Sequence, residues 1–504
     1  SAEKFVYLGV FRYLINMTSS IRSLTKQTLI YGVGTILARL VTFLLLPLYT
    51  NILPAAEYGL ASLVFAFNGF MIIIFNYGLD SAMMRYYGES TEPAVRKRLL
   101  STSIWLTIST SLILSGLIYG YSGFLGRVLL GDAARGELLR YSAGILFFDA
   151  IAHVPFALLR LEERPIRFMS IRLLNVIMMF GLNIYFVAHL QRGVAGIFQS
   201  NLITSAVTTT ILFILIIPRL SLQFSGESAR NLVLFGLPFI PAGLATVCME
   251  MLNRYILEHL MGLEAVGVFS AGFKLGIFML LLTNAFYYAW QPFFLKAGPQ
   301  ESSRLLFARI FTYFVLVELI FWLVLTALMP EIVRFHIGQI YLIGKEYQSC
   351  EPMVPIILMG YVFLGIYQMF LPGIYFEKKT RYLAYLTIFA ALVNVGFNFI
   401  LIPSLGILGS AFSSLIGYFT LAVCSYFVSQ RLFRVPYELR RVGLLFLLTL
   451  CGGIPIWLFR PNLPIRIAIL VAYPLLLWLA GFFKSSEIAK LKQIFSKTAS
   501  HHKN

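Results

Sequence analysis

Charge is what this sequence has least of. Asp, Glu, Lys and Arg make up 12% of its 504 residues, about half the share of a soluble domain. That scarcity excludes a soluble globular enzyme and a disordered chain. Cysteine is sparser still. Cys248, Cys350, Cys424 and Cys451 lie far apart with no C-x-x-C spacing, which excludes a disulfide scaffold and a zinc site. Three of them fall inside apolar runs, where a thiol packs as a small core residue. The six histidines gather no partners of metal-ligand spacing. P-loop, strand-linked G-x-G-x-x-G and H-E-x-x-H motifs are missing, so neither nucleotide hydrolysis nor zinc chemistry is expected, and no cofactor.

What is abundant is apolar. Hydrophobic residues reach 59%, with 45 Phe. At about 20 residues per membrane helix, this is material for about fourteen spans. Apolar windows fall at about 27–50, 58–79, 99–121, 138–160, 166–189, 193–217, 231–256, 264–288, 304–329, 352–376, 382–402, 405–429, 442–459 and 463–483. The fold class is therefore an all-α polytopic membrane protein.

The formal net charge of +18 suggests nucleic acid in a soluble chain. In a membrane chain, basic loops record topology instead, and no nucleic-acid partner is expected. With both termini inside, cytoplasmic segments collect Lys4, Arg12, Arg22 and Lys26; Arg96, Lys97 and Arg98; Arg160, Arg164 and Arg167; Lys378, Lys379 and Arg381; and Arg431, Arg434, Arg440 and Arg441. With the tail lysines, about 29 basic residues lie inside against about nine outside, an asymmetry that favours this orientation. The longest external stretch, about 330–351, holds His336 and Glu346 and is small for a catalytic domain. Residues 1–26 read as a cytoplasmic or interfacial segment. Residues 484–504 read as a basic amphipathic tail, with Ile488, Leu491, Ile494 and Phe495 on one face among Lys490, Lys492 and Lys497. Such a tail suits either an anionic leaflet or solvent.

The chain resembles itself at an offset near 210. GVAGIFQSNLI at 193–203 matches GILGSAFSSLI at 406–416, Gly181-Leu182-Asn183 matches Gly396-Phe397-Asn398, and Gly59 and Ser62 match Gly267 and Ser270. Three matches in one order favour a duplication. The expected organisation is an N-lobe over 27–220, a C-lobe over 221–435 and two extra helices over 436–483. Six helices per unit preserve orientation, so the lobes are expected to be pseudo-symmetric about the membrane normal, with a central cavity between them.

A charge at mid-bilayer costs about 2.5–3.5 kcal/mol on insertion scales, yet several are expected there. Arg39, Asp149, Lys274 and Glu318 fall near the middle of the first, fourth, eighth and ninth spans. Glu250 and Arg254 sit four apart on the seventh, and Asp80 and Arg85 close the second. Two readings stand side by side: these charges line a wet cavity, or they pair internally to fix helix packing. Arg39 and Lys274 have no opposite charge within a turn of their own helices, which favours a cationic cavity suited to phosphate or pyrophosphate. Pro238 and Pro241 in FGLPFIPAG interrupt the seventh span, as a hinge or as a static kink. Tyr287, Tyr288 and Trp290 are of the kind that stacks on sugars, but at 15% aromatic residues they are unexceptional.

Several stretches together resemble a family. YGVGTILARLVTFLLLPLYTNILPAAEYGLASLV, FNYGLDSAMMRYYGE at 75–89, LRLEERPIRF at 159–168, MGLEAVGVFSAGFKLG at 261–276, AWQPFFLK at 289–296 and NVGFNFILIPSLGILGSAFSSLIGY at 394–418 resemble Wzx-type polysaccharide and O-antigen flippases. These form the polysaccharide transporter branch of the multidrug/oligosaccharidyl-lipid/polysaccharide exporter superfamily. The resemblance covers about residues 27–430 and implies a two-lobe fold like that of MATE transporters and MurJ. It implies transfer of an undecaprenyl-pyrophosphate-linked oligosaccharide from the cytoplasmic to the periplasmic leaflet of a bacterial inner membrane, without ATP. A proton or sodium gradient or the membrane potential would supply coupling, and a polysaccharide polymerase and assembly proteins would be partners beside the lipid bilayer. The family's basic cavity residues map onto Arg39 and Lys274, then Arg254 and Arg85. Asp149, Glu250, Glu318 and Asp80 are the candidate coupling carboxylates. Where the family often carries Asp-Arg at the end of the seventh helix, this chain has Asn253-Arg254, with Glu250 one turn earlier.

Related readings are a multidrug antiporter or a lipid II flippase. The two expected cations argue against the antiporter, whose cationic drugs would suit an anionic cavity. A membrane-embedded polymerase or ligase would need a larger external loop, and a structural scaffold would leave the buried charges unexplained.

Overall fold

The computed structural model of the protein describes residues 43–221 and 223–484. Apart from a small hairpin of β1 (His336–Ile337) and β2 (Ile340–Tyr341), its regular structure is helical. Most helices are apolar on every face, the pattern of elements that meet lipid on one side and protein on the other. Ten stretches are long and apolar enough to cross a membrane, or twelve when two broken pairs each count as one span. The protein is a multi-pass membrane protein. Two further apolar helices, Phe43–Ile52 and Leu463–Leu479, are shorter than a full span. The sequence suggests about fourteen spans; among the described residues the seventh and eighth windows are each interrupted, and residues 1–42, which hold most of the first window, lie outside them.

The described residues divide into two compact units, 43–277 with 338–347 and 278–337 with 348–484. The expected N-lobe falls in the first unit, and the helices of the expected C-lobe are shared between the two. The first unit contains α1 (Phe43–Ile52), α2 (Ala55–Asn76), α3 (Leu79–Glu89), α4 (Pro93–Gly120), α5 (Ser122–Leu130), α6 (Gly136–Leu161), α7 (Pro165–Asn183) and α8 (Gly193–Ile216). It continues with α9 (Gly226–Gly236), α10 (Phe239–Val247), α11 (Asn253–Met261) and α12 (Leu263–Leu275). Proline opens α4 and α7 at the first turn, where its missing N–H removes no helix bond. Pro238 stands at the break between α9 and α10, where the pair bends by 44°. A π-helical turn, Cys248–Leu252, then interrupts the hydrogen bonding between α10 and α11.

A close helix-to-helix contact in this unit joins α2 to α12. A Cβ on Gly59 would lie 1.9 Å from the Leu263 carbonyl oxygen, and one on Gly267 would lie 1.9 Å from that of Ala55. The two helices thus touch backbone to backbone, as small residues four apart allow in membranes. The contact is reciprocal: 55 and 59 meet 263 and 267, and Gly59 and Gly267 are a pair that the internal repeat matches.

The second unit contains α13 (Ile277–Ala297), whose first residue the preceding unit keeps, α14 (Glu301–Arg334), α15 (Val354–Met369), α16 (Pro372–Phe376), α17 (Arg381–Leu405), α18 (Ile407–Leu432), α19 (Leu439–Phe459) and α20 (Leu463–Leu479). Phe307, Phe311, Trp290 and Phe294 form its aromatic core. The short α20 is tied to α14 by Arg466, which is 7% exposed. Its Nη2 donates to Glu331 Oε1 at 2.6 Å and its Nη1 to Oε2 at 2.8 Å. That fork geometry is specific to arginine.

Repeat-matched positions make the same local bonds in each unit. Ser200 donates to the Gly196 carbonyl and Ser413 to that of Gly409, both at 2.8 Å. Asn183 and Asn398 each donate to the carbonyl four residues back, at 2.7 and 2.8 Å. Hydroxyls and amides satisfied within their own helices carry little cost in lipid.

Candidate functional site

Lys274 occupies the last turn of α12, and its aliphatic stem reaches back along the helix, as helical side chains do. The ammonium ends 5.4 Å from the centroid of the Tyr58 ring and 5.5 Å from that of Tyr49. These two rings lie 6.0 Å apart, and Tyr347 meets Tyr58 edge-on at 5.8 Å. Tyrosine faces attract a cation through their quadrupole, most strongly where water is scarce. Tyr49 Oη donates to Asn183 Oδ1 at 2.7 Å and Tyr347 Oη to the Leu53 carbonyl at 2.7 Å. The Tyr58 hydroxyl is buried with no hydrogen-bond partner among the described residues. No ion pair among the described residues includes Lys274. The result is a cation that lies against two tyrosine rings.

Arg254, on α11, packs against α12. It is 8% exposed, with its guanidinium 5.0 Å from the Phe273 centroid and 5.9 Å from that of Phe269. Nη1 donates to the Glu250 main-chain carbonyl at 2.5 Å, a group that the π-helical turn places there. The side-chain pairing considered for Glu250 and Arg254 therefore has a backbone component, and Asn253 Oδ1 accepts from the same nitrogen at 3.4 Å.

The remaining sequence candidates occupy different settings. Arg39 lies outside the described residues. Arg85 is half-exposed, 3.2 Å from Glu89 and 4.8 Å from the Phe235 ring centroid. Asp80 stands 3.8 Å from Arg160. Asp149, midway along α6, lies beside Ser205 and the Arg172 guanidinium. Glu318 of α14 belongs to the second unit and is fully buried. Thr283 Oγ1 donates to its two oxygens at 3.0 and 3.2 Å. Among the sugar-stacking candidates, Trp290 is buried among phenylalanines and Tyr288 is exposed.

Sequence reasoning missed His153 and Arg172. His153 follows Asp149 by one turn and faces the charges of Asp80, Arg172 and Arg160. Arg172 lies over the Phe156 ring at 4.2 Å. Asp149, His153, Phe156 and Arg160 recur at 0, 4, 7 and 11 along α6, one helical face. That spacing was the available signal.

The site thus joins a partly buried cation lying against tyrosine rings and a polar face of α6, both within apolar helices. Residues 24–298 match the family described as polysaccharide biosynthesis protein. The chain belongs to that family. It is 21% identical to an uncharacterized membrane protein of Methanocaldococcus jannaschii, over 92% of this chain and 96% of the relative. Its fold resembles that of the lipid II flippase MurJ in an inward closed conformation, with a TM-score of 0.72 at 15% identity, over 92% of this chain and 100% of that one. An inward-facing multidrug resistance MATE family transporter of the MOP superfamily follows, with a TM-score of 0.59 at 16% identity, over 81% of this chain and 99% of that one. The fold is that of MurJ and MATE transporters, as expected from the sequence. This member of the polysaccharide family thus places Lys274 and Arg254 on a scaffold shared with transporters.

Proposed function

We propose that the protein is a flippase that carries undecaprenyl-pyrophosphate-linked oligosaccharide, an O-antigen or other surface-polysaccharide repeat unit, from the cytoplasmic to the periplasmic leaflet by alternating access. The observation that carries this reading is Lys274, a membrane-interior cation bedded on Tyr49 and Tyr58 in a chain of the polysaccharide family. A pyrophosphate offers that ammonium a charge-assisted bond that ring faces cannot equal. Arg254, Arg39 and Arg85 are assigned to the same anion path, and Asp149, Glu250, Glu318 and Asp80 to coupling with a proton or sodium gradient or the membrane potential. In this reading the lobes are 27–220 and 221–435, both termini are cytoplasmic, the membrane is the bacterial inner membrane, and a polymerase takes over the product.

The test removes the gene from its host and follows polyprenyl-pyrophosphate-linked oligosaccharide by leaflet. Build-up on the cytoplasmic side, reversed by the wild-type gene and not by a membrane-inserted Lys274→Ala variant, is expected. Normal glycolipid traffic with altered drug tolerance would replace this reading with a multidrug antiporter. Build-up on the outer leaflet would replace it with a polymerase or ligase.

A further inference from the structure

We propose that residues 338–347 form a latch over the outer end of the first unit, one that opens for cargo to leave and that Tyr347 joins to the Lys274 site. The proposal rests on the flippase reading above for what passes the latch and on its own contacts for its place. In the proposed orientation this end of the unit faces the periplasm.

The segment has two attachments. By chain it is part of the link between α14 and α15, both of the second unit. By packing it belongs to the first unit, while residues 337 and 348 at its two ends belong to the second. Any displacement of one unit against the other therefore pulls on it. Alternating access in two-lobe transporters consists of such displacement.

Its hold is on the corner between α1 and α2. Asn51 Nδ2 donates to the Tyr341 carbonyl at 2.6 Å, and the Tyr341 N–H donates to Asn51 Oδ1 at 3.0 Å. The Gly344 N–H donates to Thr50 Oγ1 at 3.0 Å, and a Cβ on Gly344 would lie 1.8 Å from the Thr50 carbonyl oxygen. Glu346 Oε1 accepts from the Ala55 N–H at 3.0 Å. Ala55 opens α2, and Pro54 before it supplies no side-chain cap. Glu346 thus caps that helix from 291 residues away.

These contacts suit a joint that opens. Asn51 and Glu346 are exposed and Tyr341 is partly so, and at such positions water replaces a lost partner at small net cost. Within the segment only Ile343 and Tyr347 are buried apolar side chains. Gly338, where the segment leaves the second unit, has a φ of +61°, a turn that glycine makes without strain. Tyr347 carries the link inward. Its hydroxyl holds the Leu53 carbonyl and its ring meets Tyr58, which lies beside the Lys274 ammonium. Opening the latch withdraws that edge contact, so the outer closure and the cation's surroundings change together.

Hydrogen exchange on the full-length protein in phospholipid nanodiscs reads opening without cargo. Residues 338–347 and the first turn of α2 are expected to exchange together, sooner than the middle of α14. Asn51→Ala deletes two bonds at an exposed position and should speed both segments about fivefold or more. Passage is read in spheroplasts of the host, by following its polyprenyl-pyrophosphate-linked oligosaccharide by leaflet. With the four native cysteines replaced by alanine, Asn51→Cys and Tyr341→Cys are tied by a short bifunctional methanethiosulfonate and later freed by reductant. The tie should stop passage and reduction should restore it, the same protein serving as its own control. A seam that never opens would tolerate the tie.

Exchange in 338–347 no faster than in the middle of α14, in both the wild type and Asn51→Ala, would overturn the latch. Passage undisturbed by the tie would overturn it as well and leave the flippase reading standing. Opening by exchange in a protein whose deletion leaves glycolipid traffic normal would remove the flippase reading and leave the latch.

Discussion

The Lys274 ammonium stands 5.4 Å from the centroid of the Tyr58 ring, whose own hydroxyl is buried and unbonded among the described residues. Ring and hydroxyl therefore separate in a substitution. Tyr58→Phe keeps the cation's bed and deletes an orphan polar atom, so thermal stability in detergent should hold or rise. Tyr347→Phe deletes the bond to the Leu53 carbonyl and should cost about 1 kcal/mol. Melting curves of the two purified variants make the comparison.

The contact between α2 and α12 leaves no room for a methyl group. Gly59→Ala and Gly267→Ala each drive a Cβ against a backbone oxygen, which cannot rotate away. Each is expected to destabilise by about 3 kcal/mol or more, at the upper end of overpacking costs. Gly116→Ala is the control, since nothing lies within 4 Å of its Cβ. It should stabilise α4 by up to about 1 kcal/mol. Folded yield by fluorescence-detected size exclusion separates the two classes.

If Glu318 couples transport to an ion gradient, Glu318→Gln is the informative change. Glutamine preserves an acceptor for Thr283 and removes the charge. Folding should survive, and flipping in vesicles should lose its dependence on pH or on sodium. Flipping that keeps both dependences in Glu318→Gln, Asp149→Asn and Glu250→Gln would remove coupling from all three.

Outside the membrane spans, Glu438 joins α14, the start of α19 and the segment that follows α20. Its carboxylate accepts from Thr312 at 3.1 Å, Arg441 at 2.6 Å and Lys484 at 2.5 Å. Partial burial pushes its carboxyl pKa up, but the Lys484 bond, the Arg441 charge and the Thr312 bond outweigh it and hold the group below the usual glutamate value. A lowered pKa stabilises the fold at pH above the unfolded value, near 4.3, and the stabilisation fades as pH falls through the folded value. Acid titration should therefore loosen this junction in the wild type only at acid pH. Glu438→Gln should be looser already at neutrality and nearly flat with pH, as read by proteolysis in the 433–438 segment.

Composition and hydropathy were enough to read the helical, multi-pass class, because lipid permits few alternatives to apolar helices. Pro238 marked a real break. The interruption at Gly276 and the π-helical turn at 248–252 left no such mark, since neither requires proline. Lys274 and Arg254 were legible as charges in apolar runs. Their aromatic beds were not, because Tyr49, Tyr58 and Tyr347 come from three separated stretches of chain. His153 and Arg172 were hidden differently. A histidine carries no formal charge at neutral pH and so escapes a search for charges, and Arg172 sits near the start of its span.

The reciprocal meeting of Ala55 and Gly59 with Leu263 and Gly267 has a bearing on origin. Position i of the first repeat touches position j of the second, and the equivalent of j touches the equivalent of i. Contacts of that form define a self-complementary, two-fold interface between identical subunits. A shorter ancestor carrying a single copy of this helix would have had the surface to associate with its twin. If the repeat arose by duplication, that interface became an internal seam of the fused chain and left each half to change its charges independently: Lys274 stands where the first repeat carries Ala66.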